Sequence, residues 1–585
     1  MRIYRVGLIV LATAVVAACA SGGGGGSGGG DGPGLPAPPP TNSSITNLVA
    51  DQLFSGPAAT TTNEFDLASG TTVTGGCSEE TISVAYNAAA KSYTVSVAGR
   101  SQTFAPGDAI SSVEGETRFQ KDSTAGKDRL TLVTTPYTGT TSNRYVGLGY
   151  WQRSSIAGSR QHDQFATFVY GLNTPAAAMP RTGRANFNID VFGISSVPGY
   201  EPSVLQGRGL FDVDFISGVF STKTYLTETA LLTGDQIVGG GIELNGSGLL
   251  SGSDAAFSGY VTADSRNARL SGSLSGRFYG PGADEVGASF SATNSAGASF
   301  TGSFTGQRGS GPAVNLALTN LVAPQSFYGA GTILDVGRID GDSAAQVRHY
   351  HAGGTFHERL NGNFAYSPGL SNMPGGEFTP DAMVSSGDPN FTAYEKTFGD
   401  RTVRLELFKI GSANTQLALT YSTLGRWRSI EQTGVWTTTQ NQHFVYGLET
   451  PARLMAARTG TARYEGVVYG AGGNAATGAE YDVRGTSVFN VDFSHQTYDG
   501  NLMLNGRNSA GTVDFGRYDF AGRLASYLKD STAPITYHGD PVGEINTRFY
   551  GPTGEEIGGG FHVYVPESVQ AGRTLIGGVT IARRQ

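Results

Sequence analysis

Short alternations of apolar and polar residues run through much of the chain and are separated by Gly and Asn turns. In "FNVDFS", Phe489, Val491 and Phe493 fall on one face of an extended segment. In "SFTGSFTG", the same spacing places Phe300 and Phe304 on one face. Alternation with a period of two predicts half-buried β-strands, and turns recurring about every 8 to 12 residues predict an antiparallel meander.

The chain carries its own sequence twice. Five phrases return in the same order, each at a separation of about 270 to 280 residues, which is the signature of a duplicated unit. The clearest echoes are "TNLVADQLF" (46–54) with "TNLVAPQSF" (319–327), "FVYGLNTPAAAMPRTG" (168–183) with "FVYGLETPARLMAARTG" (444–460), and "RFYGPGADEVGASF" (277–290) with "RFYGPTGEEIGGGF" (548–561). The repeat predicts two homologous lobes.

Within each lobe the pattern of apolar and polar residues changes after "RTG", the end of one of the repeated phrases. The part after "RTG" has about 125 residues of regular alternation, enough for about eight strands, the number at which a sheet closes and fills its interior with side chains. The part before it has longer irregular connections, which indicates a looser β-domain. We therefore predict an all-β protein of two homologous lobes, each a β-rich handle domain followed by an eight-stranded antiparallel β-barrel. The predicted domains are a first handle (43–182), a first barrel (183–308), a second handle (317–459) and a second barrel (460–585), with "GQRGSGPAV" between the lobes and "RTLIGGVTIARR" as the closing strand.

The N-terminus predicts export and a lipid anchor. Arg2 and Arg5 precede the apolar stretch "VGLIVLATAVV", which is shorter than the roughly 20 residues of a membrane span and is typical of a signal peptide. "VAAC" resembles a bacterial lipobox, so we predict a signal peptide over 1–18 and lipidation of Cys19. The alternative is an ordinary signal peptide with an incidental cysteine. The Gly/Ser-rich and then Pro-rich stretch that follows (19–42) is typical of a flexible tether.

Composition narrows the function classes. Only 15% of the residues are charged, the formal net charge is −8, and the arginines form no basic run. A nucleic-acid partner is therefore not expected. Cys77 is the only other cysteine, so an acylated Cys19 leaves the mature chain without an intramolecular disulfide.

Three features together resemble the transferrin-binding protein B family of surface lipoproteins. They are the twice-written phrase F-Y-G-P-x-x-x-E-[VI]-G-x-x-F, the strand F-x-V-D-F upstream of it, and the lipobox followed by a Gly-rich anchor. The resemblance implies two handle-plus-barrel lobes on a lipid-anchored protein at the cell surface of the bacterial outer membrane. It also implies a protein ligand, either an iron or haem carrier or another host or environmental protein, bound by loops at barrel rims and handle tips for a TonB-dependent outer-membrane transporter.

No arrangement of residues predicts an enzyme. The acidic pairs Asp284-Glu285 and Glu555-Glu556 are neighbours in sequence, so the two carboxylates of a pair cannot face one bond as those of a glycosidase do. We expect them in first helical turns after a proline. The G-x-S-x-G match at 25–29 lies in the tether and is compositional. We predict no catalytic residue and no cofactor.

One histidine cluster is a candidate metal or haem site. In "RHYHAGGTFHERL", a hairpin turn at "GG" would pair His351 with Phe356 and His349 with Glu358, placing His349, His351 and Glu358 on one face. Imidazoles and a carboxylate suit zinc, and imidazole also ligates haem iron. The hairpin "VAYNAAAKSYTV" of the first lobe has no histidine, and an exposed His beside Glu is commonly an ion pair. No metal is assigned, and these three residues stay the candidates.

Aromatic residues are the better candidates for contact with a partner, although no ligand-binding residue is assigned. Trp151 and Trp427 occupy the same position in the two repeats, which predicts that they belong to the handle cores. Trp436 has no echo and is the candidate surface anchor, because exposed Trp commonly dominates protein interfaces.

The sequence thus favours a non-enzymatic lipoprotein that captures a ligand. A structural or adhesive surface lipoprotein without a transport role is the alternative. A barrel that itself spans the membrane is disfavoured, because the predicted strands are short and rich in Ser, Thr and Gly rather than apolar on their outer face.

Overall fold

The structure is a computed structural model. It describes residues 41–585 apart from 125, 140, 238–240, 265–267, 312–313, 400, 452–454, 456–457 and 526–529. The predicted signal peptide, Cys19 and nearly all of the tether lie outside the described residues. Among the residues described, no helix is both long enough and apolar enough to cross a membrane.

The first handle is a nine-stranded antiparallel sheet whose strands are ordered β4-β3-β2-β1-β9-β8-β7-β6-β5. The first and last strands of the handle, β1 and β9, therefore pair at its centre. The strands are β1 (Gln52–Asp66), β2 (Thr71–Asn87), β3 (Ser92–Val97), β4 (Arg100–Phe104), β5 (Ala109–Val113), β6 (Glu116–Ser123), β7 (Gly126–Val133), β8 (Val146–Ala157) and β9 (Arg160–Gly171).

The first barrel is a closed eight-stranded meander in which β10 pairs with both β11 and β17. Its strands are β10 (Arg184–Ser196), β11 (Ser203–Asp214), β12 (Val219–Ala230), β13 (Ile242–Leu250), β14 (Ala256–Asp264), β15 (Arg269–Tyr279), β16 (Glu285–Thr293) and β17 (Ser299–Arg308).

The second handle differs from the first because it contains two sheets. A seven-stranded sheet has the order β20-β19-β28-β27-β26-β25-β24, and a four-stranded sheet has the order β18-β21-β22-β23. The strands are β18 (Gln325–Tyr328), β19 (Ala330–Ile339), β20 (Ala345–His351), β21 (Thr355–Glu358), β22 (Phe364–Ser367), β23 (Gly376–Phe378), β24 (Met383–Val384), β25 (Phe391–Phe398), β26 (Arg401–Phe408), β27 (Ser422–Thr433) and β28 (Trp436–Gly447).

The second barrel closes in the same way as the first, through pairing of β29 with β36. Its strands are β29 (Thr461–Asn474), β30 (Glu480–Asp492), β31 (Thr497–Asn508), β32 (Gly511–Arg523), β33 (Ser531–Tyr537), β34 (Asp540–Tyr550), β35 (Glu556–Tyr564) and β36 (Thr574–Arg584). Short 3-10 turns occur between strands, at Pro106–Asp108, Ala176–Ala178, Leu318–Asn320, Pro380–Ala382 and Gly411–Ala413.

The alternating residues fill the barrel interiors as the sequence predicted. Phe489, Val491 and Phe493 are buried in the core of the second barrel, and Phe300 and Phe304 are buried in that of the first. The prediction of an all-β fold with two lobes and two closed eight-stranded antiparallel barrels is confirmed.

The repeated tryptophans are core residues, as predicted. Trp151 is fully buried in the first handle, where its indole N–H donates to Asp128 Oδ1 at 2.9 Å and its ring meets Phe104 edge-on. Trp427 is buried in the second handle with Phe444 and Tyr366. An aromatic residue at the same place in each repeat therefore supports the fold.

The two lobes also contact each other. Val219 of the first barrel shares a buried cluster with Leu419 and Tyr421 of the second handle. Ser247 Oγ donates a hydrogen bond to the carbonyl of Pro552 at 2.8 Å. The strand β12 that carries Val219 therefore packs on the second lobe.

Gly551, in the repeated "FYG", has both a left-handed backbone and a tight environment. Its φ is +90°, and a Cβ there would lie 2.7 Å from the Tyr421 ring. We expect Gly551→Ala to lower the free energy of unfolding by backbone strain of about 1–3 kcal/mol and by a further 1–3 kcal/mol or so for overpacking.

Gly539→Ala is the matched control, because Gly539 also has a positive φ, +96°, but open space around its Cβ position. The measurement is urea unfolding of the chain with each substitution. Equal losses for the two variants would contradict a steric role for Gly551.

Candidate functional site

Two of the repeated segments, "YGLxTP" and "FYGP", hydrogen-bond to each other at the contact between handle and barrel. In the second lobe, the N–H of Thr450 donates to the carbonyl of Phe549 at 2.9 Å, and the N–H of Gly551 donates to that of Leu448 at 2.9 Å. The first lobe has the same pair of bonds, Thr174 to Phe278 and Gly280 to Leu172, each 2.9 Å. We call this contact the junction. It explains why "YGLxTP" and "FYGP" recur together.

Glu556 joins the second barrel to the second handle. Its side chain is almost completely buried, and its carboxylate accepts the backbone N–H groups of Thr420 at 2.6 Å, Tyr421 at 3.1 Å and Ser422 at 2.8 Å. The Ser422 hydroxyl donates a fourth bond at 2.7 Å. Ser422 is the first residue of β27, so the barrel supplies the acceptor for the entry of a handle strand.

Glu285 does the same in the first lobe. It accepts the N–H groups of Arg144, Tyr145 and Val146 at 2.7, 2.8 and 2.9 Å. The expected helical turn after the proline is wrong, since each glutamate is instead the first residue of a strand, β16 or β35. The donors lie in the handle, outside the barrel. An extended backbone points the glutamate side chain outward toward them, which explains why it belongs to a strand.

Burial dominates the ionisation of these carboxyls. It raises the pKa of Glu556 from about 4.5 to about 7, although the hydrogen bonds from Thr420, Tyr421 and Ser422 act in the opposite direction. Burial also raises the pKa of Glu285 above its usual range. In each lobe, the contact between the barrel glutamate and the handle strand therefore depends on an acid group that is costly to ionise where it lies.

The outward residues of β35 let the handle come close. Outward and inward positions alternate, so Glu556, Gly558, Gly560 and His562 face the handle while their neighbours fill the barrel. A Cβ at Gly560 would lie 2.8 Å from the backbone of Gly331 in β19. Handle strand β19 consequently lies directly on the barrel wall.

At the end of this contact three imidazoles meet. His349 and His351 come from handle strand β20 and His562 from barrel strand β35, and one ring nitrogen of each lies within 4.8 Å of the others. The rings of His349 and His562 stack with centroids 3.9 Å apart. We call this set the three-histidine cluster.

The structure does not form the hairpin predicted around "GG". β20 pairs with β19, where His349 lies opposite Leu334, whereas β21 pairs with β18 of the other sheet, where Glu358 lies opposite Gln325. His349 and His351 do share a face, but Glu358 belongs to a different sheet. The turn is replaced because both strands find partners elsewhere, with the backbone of Gly353 crowded against Gly329.

Burial keeps two of the imidazoles neutral. It lowers the pKa of His349, and it lowers that of His562 to about 4, with the neighbouring histidines adding to both shifts. His349 Nε2 and His562 Nδ1 are buried without a hydrogen-bond partner among the described residues.

The end of the second handle presents an apolar tip. Trp436 begins β28 beside the turn of the β27–β28 hairpin, is 37% exposed, and lies opposite Ile339 of β19. Val435 in the turn is 59% exposed. We call Ile339, Val435 and Trp436 the handle tip, and the candidate anchor Trp436 thus lies on the surface.

Two handle-and-barrel lobes, each fastened by a buried glutamate, place the chain in the class of two-lobed all-β proteins with closed eight-stranded barrels. Residues 457–584 match the family model described as the C-lobe and N-lobe β-barrels of transferrin-binding protein B. The resemblance seen in the sequence is confirmed over these residues: the second barrel is similar to the barrels of transferrin-binding protein B.

Solved structures of the same kind are also similar to it. A double mutant of the vaccine antigen transferrin-binding protein B from Haemophilus parasuis Hp5 is 16% identical, with a TM-score of 0.27 over 78% of this chain and 85% of that chain. Isotype 1 transferrin-binding protein B from serogroup B Neisseria meningitidis is 16% identical, with a TM-score of 0.24 over 78% and 89%. A surface lipoprotein structure is 17% identical, with a TM-score of 0.24 over 43% and 98%. No curated protein matches the sequence.

Glu556→Gln tests the contact between Glu556 and the handle. An amide keeps one acceptor oxygen but turns an NH₂ group toward backbone donors, so we expect a loss of about 1–3 kcal/mol in the free energy of unfolding. Glu555→Gln is the control, because Glu555 accepts the N–H of Thr553 within its own turn, at 2.9 Å.

The loss should depend on pH. With a folded pKa of about 7 against about 4.5 unfolded, the folded chain holds more protons between these values, so this group's contribution to stability falls as pH rises through that window. Urea unfolding of wild type and Glu556→Gln should therefore give stabilities that converge from pH 4.5 to pH 7. A gap that widens over this range would contradict the raised pKa.

Proposed function

We propose that the protein is a non-enzymatic outer-membrane surface lipoprotein that captures a protein ligand for a partner TonB-dependent transporter. The ligand class is an iron or haem carrier, or another host or environmental protein. The observation that carries the proposal is the match of the second barrel to a transferrin-binding protein B barrel family. The relatives are named for transferrin binding, and for this chain we propose the wider class of carrier.

The handle tip supports capture by a preformed surface. Trp436 and Ile339 are neighbours on adjacent strands, so their exposed area is held by the ladder rather than by a loose loop. Aromatic side chains held in this way cost little conformational entropy on binding and commonly dominate interface energetics. A protein ligand with an apolar pocket fits such a tip.

The anchor and tether support capture near the membrane. A lipid on Cys19, followed by the Gly/Ser-rich and Pro-rich stretch up to residue 42, would hold both lobes within reach of a transporter. Tethering raises the effective concentration of a captured ligand without any new contact.

Growth on an iron or haem carrier tests the proposal. With such a carrier as the sole iron source, deletion of the gene should slow growth, and the wild-type gene should restore it. Cys19→Ser should fail to restore growth while releasing the protein from the membrane fraction. Growth that is unchanged by deletion would contradict an uptake role and favour the structural or adhesive alternative.

Trp436→Ala tests the handle tip. We expect it to weaken binding of the captured carrier by about 2 kcal/mol, or roughly 30-fold, as for a buried aromatic anchor. Ile156→Ala is the matched variant, since Ile156 is an exposed apolar residue of the β8–β9 hairpin in the first handle. Surface plasmon resonance of the two variants measures the difference, and a larger loss for Ile156→Ala would assign binding to the first lobe instead.

A further inference from the structure

The three-histidine cluster joins residues that the fold brings together from separate domains. His349 and His351 are two positions apart in β20, on the face that also carries Val347, which packs at Gly473 of the barrel. His562 lies in β35 between Phe561 and Val563, whose side chains fill the barrel core. The imidazoles therefore lie between two preformed sheets.

The spacing suits one metal ion. The ring centroids are 3.9 Å apart for His349 and His562, 5.0 Å for His349 and His351, and 5.2 Å for His351 and His562. Zinc bound by nitrogen at about 2.0–2.1 Å in a tetrahedron sets the nitrogens about 3.4 Å apart. One ring nitrogen of each histidine already lies within 4.8 Å of the others, so the nitrogens need to approach by about 1.4 Å or less to share one ion.

Two nitrogens of the cluster need a partner. Buried polar atoms are nearly always satisfied, yet within the described part of the chain His349 Nε2 and His562 Nδ1 have no hydrogen-bond partner. A neutral imidazole has one ring nitrogen with a free lone pair, which can serve as a metal ligand. A metal ion between the rings satisfies such lone pairs directly.

A carboxylate lies beside the cluster. Glu544 in β34 is the register partner of His562, and its Oε1 lies 3.9 Å from His351 Nε2. Carboxylates next to metal-bound imidazoles orient the rings and raise their basicity. The 3.9 Å separation is longer than a hydrogen bond, so the positioning role that we assign to Glu544 requires the carboxylate to close on His351 when the metal binds.

The first lobe shows that the fold does not require these histidines. Phe168 and Phe444 are equivalent in the repeat and lie opposite Ala58 and Gly331. Three residues further along β1 and β19 lie Thr61 and Leu334. Thr61 pairs with Cys77 and Leu334 pairs with His349, so Cys77 is the counterpart of His349.

The counterpart of His562 follows from the glutamates. Ser291 stands six residues after Glu285, as His562 stands six after Glu556. In the first lobe the half-buried Cys77 donates to the carbonyl of Ala292 at 3.5 Å. The first lobe therefore has a thiol and a hydroxyl, of Cys77 and Ser291, at the positions of His349 and His562. The imidazoles are particular to the second lobe.

We propose that His349, His351 and His562 bind one zinc ion at the contact between the second handle and the second barrel. Neutral imidazole is a favoured ligand of zinc. Three protein ligands leave the fourth position open, as in sites where zinc holds water or an exogenous ligand. His351 is the exposed member of the set, so this open position lies on its side. The proposal goes beyond ligand capture and does not depend on it.

The test is zinc titration of the untagged full chain in detergent after removal of metal by a chelator. Calorimetry should show one tight site per chain, and Co²⁺ should give the visible absorption of a tetrahedral site. His562→Ser, which installs the residue of the first lobe, and His349→Ala should each weaken binding more than about 100-fold. Glu544→Gln should weaken it about 10-fold, as for an outer carboxylate.

His495→Ala is the control, because His495 is an exposed histidine paired with Asp492 at 2.7 Å, away from the cluster. Its zinc affinity should equal that of wild type. Metal-free melting temperatures show whether each variant folds. Zinc affinity unchanged in both folded variants, His562→Ser and His349→Ala, would overturn the proposal, as would a wild-type chain that binds no zinc.

Discussion

A buried carboxylate that accepts three consecutive backbone N–H groups holds each lobe together. Backbone donors that enter a water-excluded contact need an acceptor, and a strand entering from a loop has none from its own ladder at that point. Glu285 and Glu556 supply it from across the domain boundary. Because three successive donors converge on one carboxylate, the direction in which the handle strand leaves the contact is set as well. The handle and barrel of a lobe are thus fixed relative to each other by backbone geometry.

The same strand that carries the glutamate also carries everything else at this contact. In β35 the inward positions fill the barrel, so Ile557 and Phe561 are constrained by the core. The outward positions are constrained only by the handle, which requires an acceptor at Glu556 and small residues at the next two. At His562 the handle contributes the side chains of His349 and His351 and not a close backbone, so new chemistry can appear there without disturbing the barrel. The difference between Ser291 and His562 shows that this position has varied between the repeats.

The sequence predicts those structural features that are determined by residues close together in the chain. The barrels follow from alternation within strands, as at Phe489 and Val491, and the handle tryptophans follow from repetition. The sequence predicts a turn position for Glu556, because its donors at 420–422 lie more than a hundred residues away. The prediction of a hairpin at "GG" is wrong for the same reason, because the pairing of β20 with β19 outweighs a strong local turn signal. His562 carried one usable signal, a histidine where the repeat has Ser291, but its proximity to His349 required the fold.

The duplication separates what the fold needs from what function can alter. The junction bonds, the buried glutamate and the handle tryptophan are present in both lobes, so selection for a rigid handle on a closed barrel accounts for them. The handle tip, the three-histidine cluster and the additional four-stranded sheet belong to the second lobe among the residues described. Features that differ on a shared scaffold cannot be explained by the scaffold. Under the proposed function, these features of the second lobe are therefore the first to test for contact with a ligand.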